Sequence, residues 1–281
     1  MKFSKLAKLG MYAALMCLLY GTSASVVRAG FDTGWQAYQR GDFSAALEEW
    51  QPLAEAGDSR AIFNLSTMYD EGKGVVRDQD RAVELWAAAA ESGYARAQHN
   101  LANAFISGAG AERNLERAAH WLHAAAYQGF VKSQYTLGKM FSYGLGVPRD
   151  HVLAFGWIEK AAMSGNRRAE YNLGKMYRDG VGTEASLEMA VDWYRRSAEQ
   201  GYAKAQASLA RRYAHGEGVV QDMVAALFWM TIAADQGLPR AQVGRTDLST
   251  DMSAADIAAA RRRIIEWKAV ADYSRSFVLR G

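Results

Sequence analysis

The sequence is poor in cysteine, in proline and in long apolar runs, and each shortage excludes something. One cysteine, Cys17, occurs among 281 residues, and it lies in an apolar stretch near the N-terminus. Once that stretch is removed, disulfides, a thiol nucleophile and thiolate metal ligands are all ruled out. Three prolines, 50% apolar residues and 22% charged residues exclude disordered and collagen-like chains. Basic residues number 33 against 30 acidic, but Lys2, Lys5, Lys8 and Arg28 stand in the first 29 residues, where no acid stands. Without those four the balance is 29 to 30, a net −1, so charge gives no argument for a nucleic-acid partner.

Residues 1–29 read as a secretory signal peptide. Three lysines open it, Leu9 to Tyr20 forms a short apolar core, and Val27-Arg28-Ala29 offers small or branched side chains at the positions a signal peptidase reads. Cleavage is expected after Ala29, with a site near Ala24 as the alternative. The apolar core is shorter than the roughly 20 residues a bilayer span requires, so no stable membrane insertion is expected. Met16 is too large for the residue that lipoprotein processing places before the cysteine, which disfavours lipid attachment. The mature chain is therefore expected in the periplasm or outside the cell.

From Ala61 the sequence repeats every 36 residues without insertion, giving units 61–96, 97–132, 133–168, 169–204 and 205–240. Leu65, Leu101, Leu137, Leu173 and Leu209 share one column, and Tyr69, Phe105, Phe141, Tyr177 and Tyr213 another. Each unit then carries a Gly-x-Gly pair, from Gly72 and Gly74 to Gly216 and Gly218. Ala82, Ala118, Ala154, Ala190 and Ala226 follow, with Trp121, Trp157, Trp193 and Trp229 three residues beyond the last four of them. In the first unit the Trp is displaced by one, to Trp86. A glycine closes every unit, from Gly93 to Gly237.

The columns have a physical reading. Leucine and an aromatic four residues later share one face of a first helix, helix A, which ends at a glycine able to adopt a left-handed conformation. A short loop reaches Asp78, Asn114, Asp150, Ser186 or Asp222, residue types that accept hydrogen bonds from the free amides of a starting helix. Helix B then carries the alanine and tryptophan columns. Such a hairpin cannot bury its apolar face alone, so neighbours must stack.

Together these columns resemble the Sel1-like repeat, a relative of the tetratricopeptide repeat; Gly138 and Gly174 fit its Leu-Gly step, whereas Ser66, Ala102 and Ala210 depart from it. The resemblance implies an all-α fold, a right-handed α-α superhelical solenoid of Sel1-like hairpins. Residues 30–60 read as a tetratricopeptide-like capping hairpin, with Gly34-Trp35 and Gly41-Asp42-Phe43. Residues 241–281 read as a partial repeat, a helix opened by a capping box at Ser253 to Asp256 and running to about Ala271, and a tail.

Catalytic signatures are scarce. None of the Gly-x-Gly pairs continues as a nucleotide fingerprint, and no phosphate loop, His-Glu-x-x-His pair or Gly-x-Ser-x-Gly elbow occurs. Glu116, His120 and His123 fall on one side of a helix B at metal-ligand spacing, but the same columns elsewhere read as the solvated convex face, so no metal and no cofactor is expected. Some cysteine-rich Sel1-like proteins are described as β-lactam-active, which makes a cell-wall or β-lactam hydrolase the alternative function. They rely on a cysteine pair per repeat, and these repeats have none.

Binding is the expected function. Arg60, Arg96, Lys132, Arg168, Lys204 and Arg240 stand one residue before each repeat register, read as just ahead of helix A, where a cation opposes the helix dipole. Glu91, Glu199 and Asp235 are in reach of three of them as counter-charges. If helix A lines the concave side, as in tetratricopeptide relatives, its rows add Phe63, His99, Tyr135 and Tyr171, then Asn64, Asn100 and Asn172, then Lys139, Lys175 and Arg211. Rings, amides and cations together favour an extended peptide or an acidic protein loop, held between the second and fourth units. The partner is thus expected to be a protein or peptide, and the chain a scaffold without catalysis.

Overall fold

The computed structural model describes residues 30–278, with side chains to residue 269. The predicted signal peptide and the last three residues of the tail, 279–281, lie outside the described residues. Among those residues the fold is all-α, a solenoid of helical hairpins with no strand. Helix α1 spans 30–39, and α2 (Phe43–Glu55) completes a first hairpin.

Ten helices of 13 residues each follow as five hairpins: α3 (Ser59–Glu71) with α4 (Gln79–Glu91), α5 (Ala95–Ser107) with α6 (Leu115–Tyr127), α7 (Val131–Tyr143) with α8 (His151–Met163), α9 (Arg167–Asp179) with α10 (Leu187–Glu199), and α11 (Ala203–His215) with α12 (Met223–Asp235). Then come α13 (Pro239–Thr250) and α14 (Ala254–Val278). The chain divides into two compact units, residues 1–130 and 131–281.

The loop inside each hairpin is built the same way five times. Its Asp, Asn or Ser caps the second helix, as where Arg117 N donates to Asn114 Oδ1 at 2.8 Å. The amide of the same residue closes the loop onto the first helix, as from Ser186 N to Tyr177 O at 2.8 Å. Gly180 and Gly182 have φ of 65° and 74°, and a side chain on Gly182 would collide with the His151 carbonyl oxygen. The pair is therefore a turn that presses one hairpin onto the preceding one, which leaves no cradle for a phosphate.

Between hairpins the turn is shorter than the sequence reading assumed. Gly201 N donates to Ala198 O at 2.9 Å and Tyr202 N to Ser197 O at 3.1 Å, a double closure that lets the next helix begin at once. Helix A accordingly starts two residues before the repeat register. Arg60, Arg96, Lys132, Arg168, Lys204 and Arg240 are thus not ahead of helix A but at its second position, inside the first turn.

Each unit has its own core. In the first, Trp50 is fully buried against Phe31, Trp35 and Tyr38, and its Nε1 donates to the Phe31 carbonyl at 3.2 Å. In the second, α12 is apolar around its circumference, from Ala225 to Met230 and again at Ile232 to Ala234. A helix of that kind needs cover on every side, and α11, α13 and α14 supply it. Trp267 of α14 lies 5.3 Å from Trp229 and 5.9 Å from Phe228, and Lys268 pairs with Asp235 at 2.7 Å. The closing helix extends past Ala271 to Val278, since neither proline nor glycine interrupts it.

Candidate partner-binding cleft

The second unit contains a cleft of about 430 Å³ on the helix A side, and it gathers Tyr135, Lys139, Tyr171, Asn172 and Lys175, all predicted from sequence. Helix α9 forms its floor. Asn172 Nδ2 donates to the Tyr135 hydroxyl of α7 at 2.9 Å, and Tyr171 packs edge-on against Tyr202, the residue that caps α11, at 5.3 Å. The floor is thus flanked by α7 on one side and by the first turn of α11 on the other. Ile158 and Met176 add apolar surface beneath.

Local packing explains why the floor can sit so low. A Cβ on Gly174 would lie 2.8 Å from the Tyr194 ring and 3.1 Å from the Ala190 carbonyl, so only glycine lets α10 approach α9 there. Tyr194 is fully buried, and burial pushes its phenol up to about 12. Burial also raises the Tyr135 phenol, against the opposing pull of the Asn172 hydrogen bond, so it keeps its proton at neutral pH.

The cleft's cations are not neutralised from within. Among the described residues no ion pair holds Lys139, Lys175 or Lys204, and Lys139 Nζ lies 5.9 Å from the Tyr135 ring. Asp179 marks the far end, where a two-point bond to Arg178 holds its carboxyl below the usual carboxylate range. Arg211 is exposed on α11 outside the cleft lining and reaches Ser208 at 3.4 Å.

The other predicted residues are distributed more widely. Lys132 and Arg168 are exposed at the starts of α7 and α9. Arg96, Phe63, Asn64, His99 and Asn100 belong to the first unit. There Phe63 packs on Tyr94 at 5.2 Å, and His99, buried, packs on Phe130 at 5.2 Å. Asn100 lines a separate cleft of about 420 Å³ with Asn103, Ser107 and Asp70. Among the described residues the counter-charges expected for the basic column are not used: Asp235 binds Lys268 and Arg245, and of the column only Arg60 is paired, with Asp58 at 2.7 Å. Glu116, His120 and His123 are exposed, and among the described residues no group of three His, Cys, Asp or Glu side chains could hold a metal.

Tyr202 and His151 line the cleft without having been predicted. The signal for Tyr202 was the aromatic column Tyr94, Phe130 and Tyr202 at the residue before helix A.

A family model for the Sel1 repeat matches five consecutive segments, 59–94, 95–130, 131–166, 167–202 and 203–238. The chain belongs to the Sel1 repeat family. The family's segments share the 36-residue period and begin where each helix A begins. A crystal structure of a Sel1 repeat protein from Oxalobacter formigenes is 26% identical, with a TM-score of 0.71 over 87% of this chain and 99% of that one. A protective antigen of uropathogenic Escherichia coli, displaying an SLR fold, is 29% identical with a TM-score of 0.60 over 88% of this chain. The match spans 61% of that antigen's chain. No curated protein matches. Sel1 repeat proteins are as a class protein-interaction scaffolds. Among the described residues no helix is long and apolar enough to cross a membrane.

Proposed function

We propose that this Sel1 repeat protein is an exported scaffold that binds a segment of a partner protein in the cleft of its second unit, without catalysis. The observation that carries the reading is the Tyr135–Asn172 pair set among unpaired lysines, Lys139, Lys175 and Lys204. The Tyr135 hydroxyl accepts from Asn172, so its own hydrogen remains to be donated. Among the described residues Asn172 Oδ1 makes no hydrogen bond, and it remains to accept. One donor and one acceptor side by side complement a peptide group. The surrounding rings supply contact area at low entropic cost, and the lysines supply orientation.

Export rests on the lysine-led, apolar start of the sequence, and a role in envelope assembly, envelope signalling or contact with a host is compatible with it. N-terminal sequencing of the exported protein should begin at Gly30.

The binding reading is tested by crosslinking the chain in its native envelope fraction and comparing the captured protein across variants. Replacing Lys139, Lys175 and Arg211 together with Glu should abolish capture, while Lys160→Glu on the exposed part of α8 should leave it intact. Capture that survives the triple replacement overturns the assignment. Nitrocefin turnover by the purified chain would place it with the hydrolases instead.

A further inference from the structure

The chemistry of the cleft's walls specifies its occupant further, provided that the cleft is the binding surface proposed above. Lys139 of α7 and Lys175 of α9 are each the ninth residue of their helix, whereas Lys204 is the second residue of α11. Seven residues of α-helix advance about 10 Å along the axis. Two cationic points therefore lie about that far apart along the cleft, with Lys139 on the α7 wall and Lys204 on the opposite one. Between them sit the free phenol hydrogen of Tyr135 and the free amide oxygen of Asn172.

An extended peptide rises about 3.3 Å per residue, so a 10 Å separation corresponds to three residues. In such a strand residues i and i+3 point to opposite sides. The two lysine positions make the same demand, since they lie on opposite walls.

We infer that the cleft takes an extended acidic segment bearing two carboxylates three residues apart. One carboxylate is held by Lys139 with Lys175 and the other by Lys204, and the backbone between them seats on Tyr135 and Asn172. Asp179, at the end of the cleft beyond Lys175, disfavours a third acid on that side. A polyanion bound by bulk charge alone would show neither the spacing nor this asymmetry.

The test uses the full chain and five fluorescein-labelled, end-blocked dodecapeptides of Ser, Thr and Ala. One carries Glu at i and i+3, one at i and i+1, one at i and i+6, one Lys at i and i+3, and one no charge. Anisotropy titrations should rank the i, i+3 acidic peptide about tenfold tighter than any other, the scale expected of two charge-assisted contacts made together. Lys139→Glu and Lys204→Glu, both surface changes, should each remove most of that advantage, and the double variant should prefer the lysine peptide.

Equal binding of the acidic peptides whatever their spacing overturns the inference, as does equal binding of the neutral one. Selection of random dodecapeptides on the immobilised chain separates the two levels of the argument. Selected peptides that lose binding on Asn172→Ala and Tyr135→Phe yet lack paired acids overturn the acidic spacing and leave the binding surface standing. Peptides indifferent to both replacements overturn the two together.

Discussion

Asn172 of α9 donates through Nδ2 to the Tyr135 hydroxyl of α7 across 2.9 Å, and this bond joins the first helices of two successive repeats. It serves stability as well as the cleft floor, because both side chains are half-buried. Tyr135→Phe and Asn172→Ala should each cost about 1 kcal/mol, the usual net worth of one such bond. The double variant should cost less than the sum, with a coupling of about 0.5 to 1 kcal/mol. Urea unfolding of the four proteins measures this, and strict additivity would show that the bond is not made in solution.

Gly174 and Tyr194 form a matched pair of small and large. The same two columns hold Ser66 with Trp86, Ala102 with Leu122, Gly138 with Ile158, and Ala210 with Met230, so a small residue faces a large one across every hairpin. Gly174→Ala gains helix propensity but forces a methyl into the Tyr194 ring, and overpacking of this kind costs about 1 to 3 kcal/mol. Tyr194→Leu should recover most of the loss. The Tyr194 hydroxyl is buried with no hydrogen-bond partner among the described residues, so Tyr194→Phe should be neutral or stabilising by up to about 1 kcal/mol. A marked loss of melting temperature in Tyr194→Phe would reveal a partner that the geometry does not supply.

Periodicity made the hairpins, their loops and their caps legible in advance, because each column of Leu, Gly, Asp or Ala answers to a local requirement that repeats five times. The phase was misread by two residues. Column statistics record which residues recur but not how many the turn consumes, and the double closure at Gly201 and Tyr202 consumes few. Trp86 looked like a displaced member of the tryptophan column. In the structure it is buried at the position that Leu122, Ile158 and Tyr194 occupy in later repeats, while Leu85 holds the tryptophan place. The cleft was legible in part: Tyr135, Asn172 and Lys175 lie where helix A rows place them. Tyr202 was missed because a residue at a helix start is read as serving the turn, and His99 was overrated because its neighbour Phe130 covers it.

The closing helix yields a prediction about where instability spreads. Trp267→Ala removes the ring that covers Phe228 and Trp229, and should cost about 2 kcal/mol, less than a fully buried tryptophan because Trp267 is half-buried. Nearest-neighbour coupling confines such damage in a stacked fold. Hydrogen exchange should therefore show α14 and α12 losing protection while α3 to α6 keep theirs. Uniform loss across the chain would mean that the whole molecule unfolds as one cooperative unit.

Glu170 sits where three other repeats place a glutamine, Gln98, Gln134 and Gln206, and the first and last of these each bridge three helices. Gln98 donates to the Ala90 carbonyl at 3.1 Å and accepts from Gln128 at 2.9 Å; Gln206 donates to Ala198 at 3.0 Å and accepts from Gln236 at 2.7 Å. Glu170, 4% exposed, accepts from Gln200 at 2.7 Å in the same way. An ionised carboxylate has no hydrogen to give the carbonyl that the register places there, that of Ala162. Burial pushes the Glu170 carboxyl above its ordinary range, Arg196 of α10 opposes the rise, and Glu199 of α10 adds to it. A folded pKa above the unfolded value means that the folded state binds the extra proton. Its stabilising contribution is therefore complete below the unfolded carboxylate range of about 4.3 and is lost as pH rises through the folded value. Glu170→Gln restores the bridging amide at every pH. The variant should be more stable than the parent at pH 7, on the order of 1 kcal/mol for the recovered bond, and the difference should shrink as pH falls towards 4. Urea unfolding of both proteins between pH 4 and 8 measures it, and a difference that does not change with pH would show that Glu170 has the same proton affinity folded and unfolded.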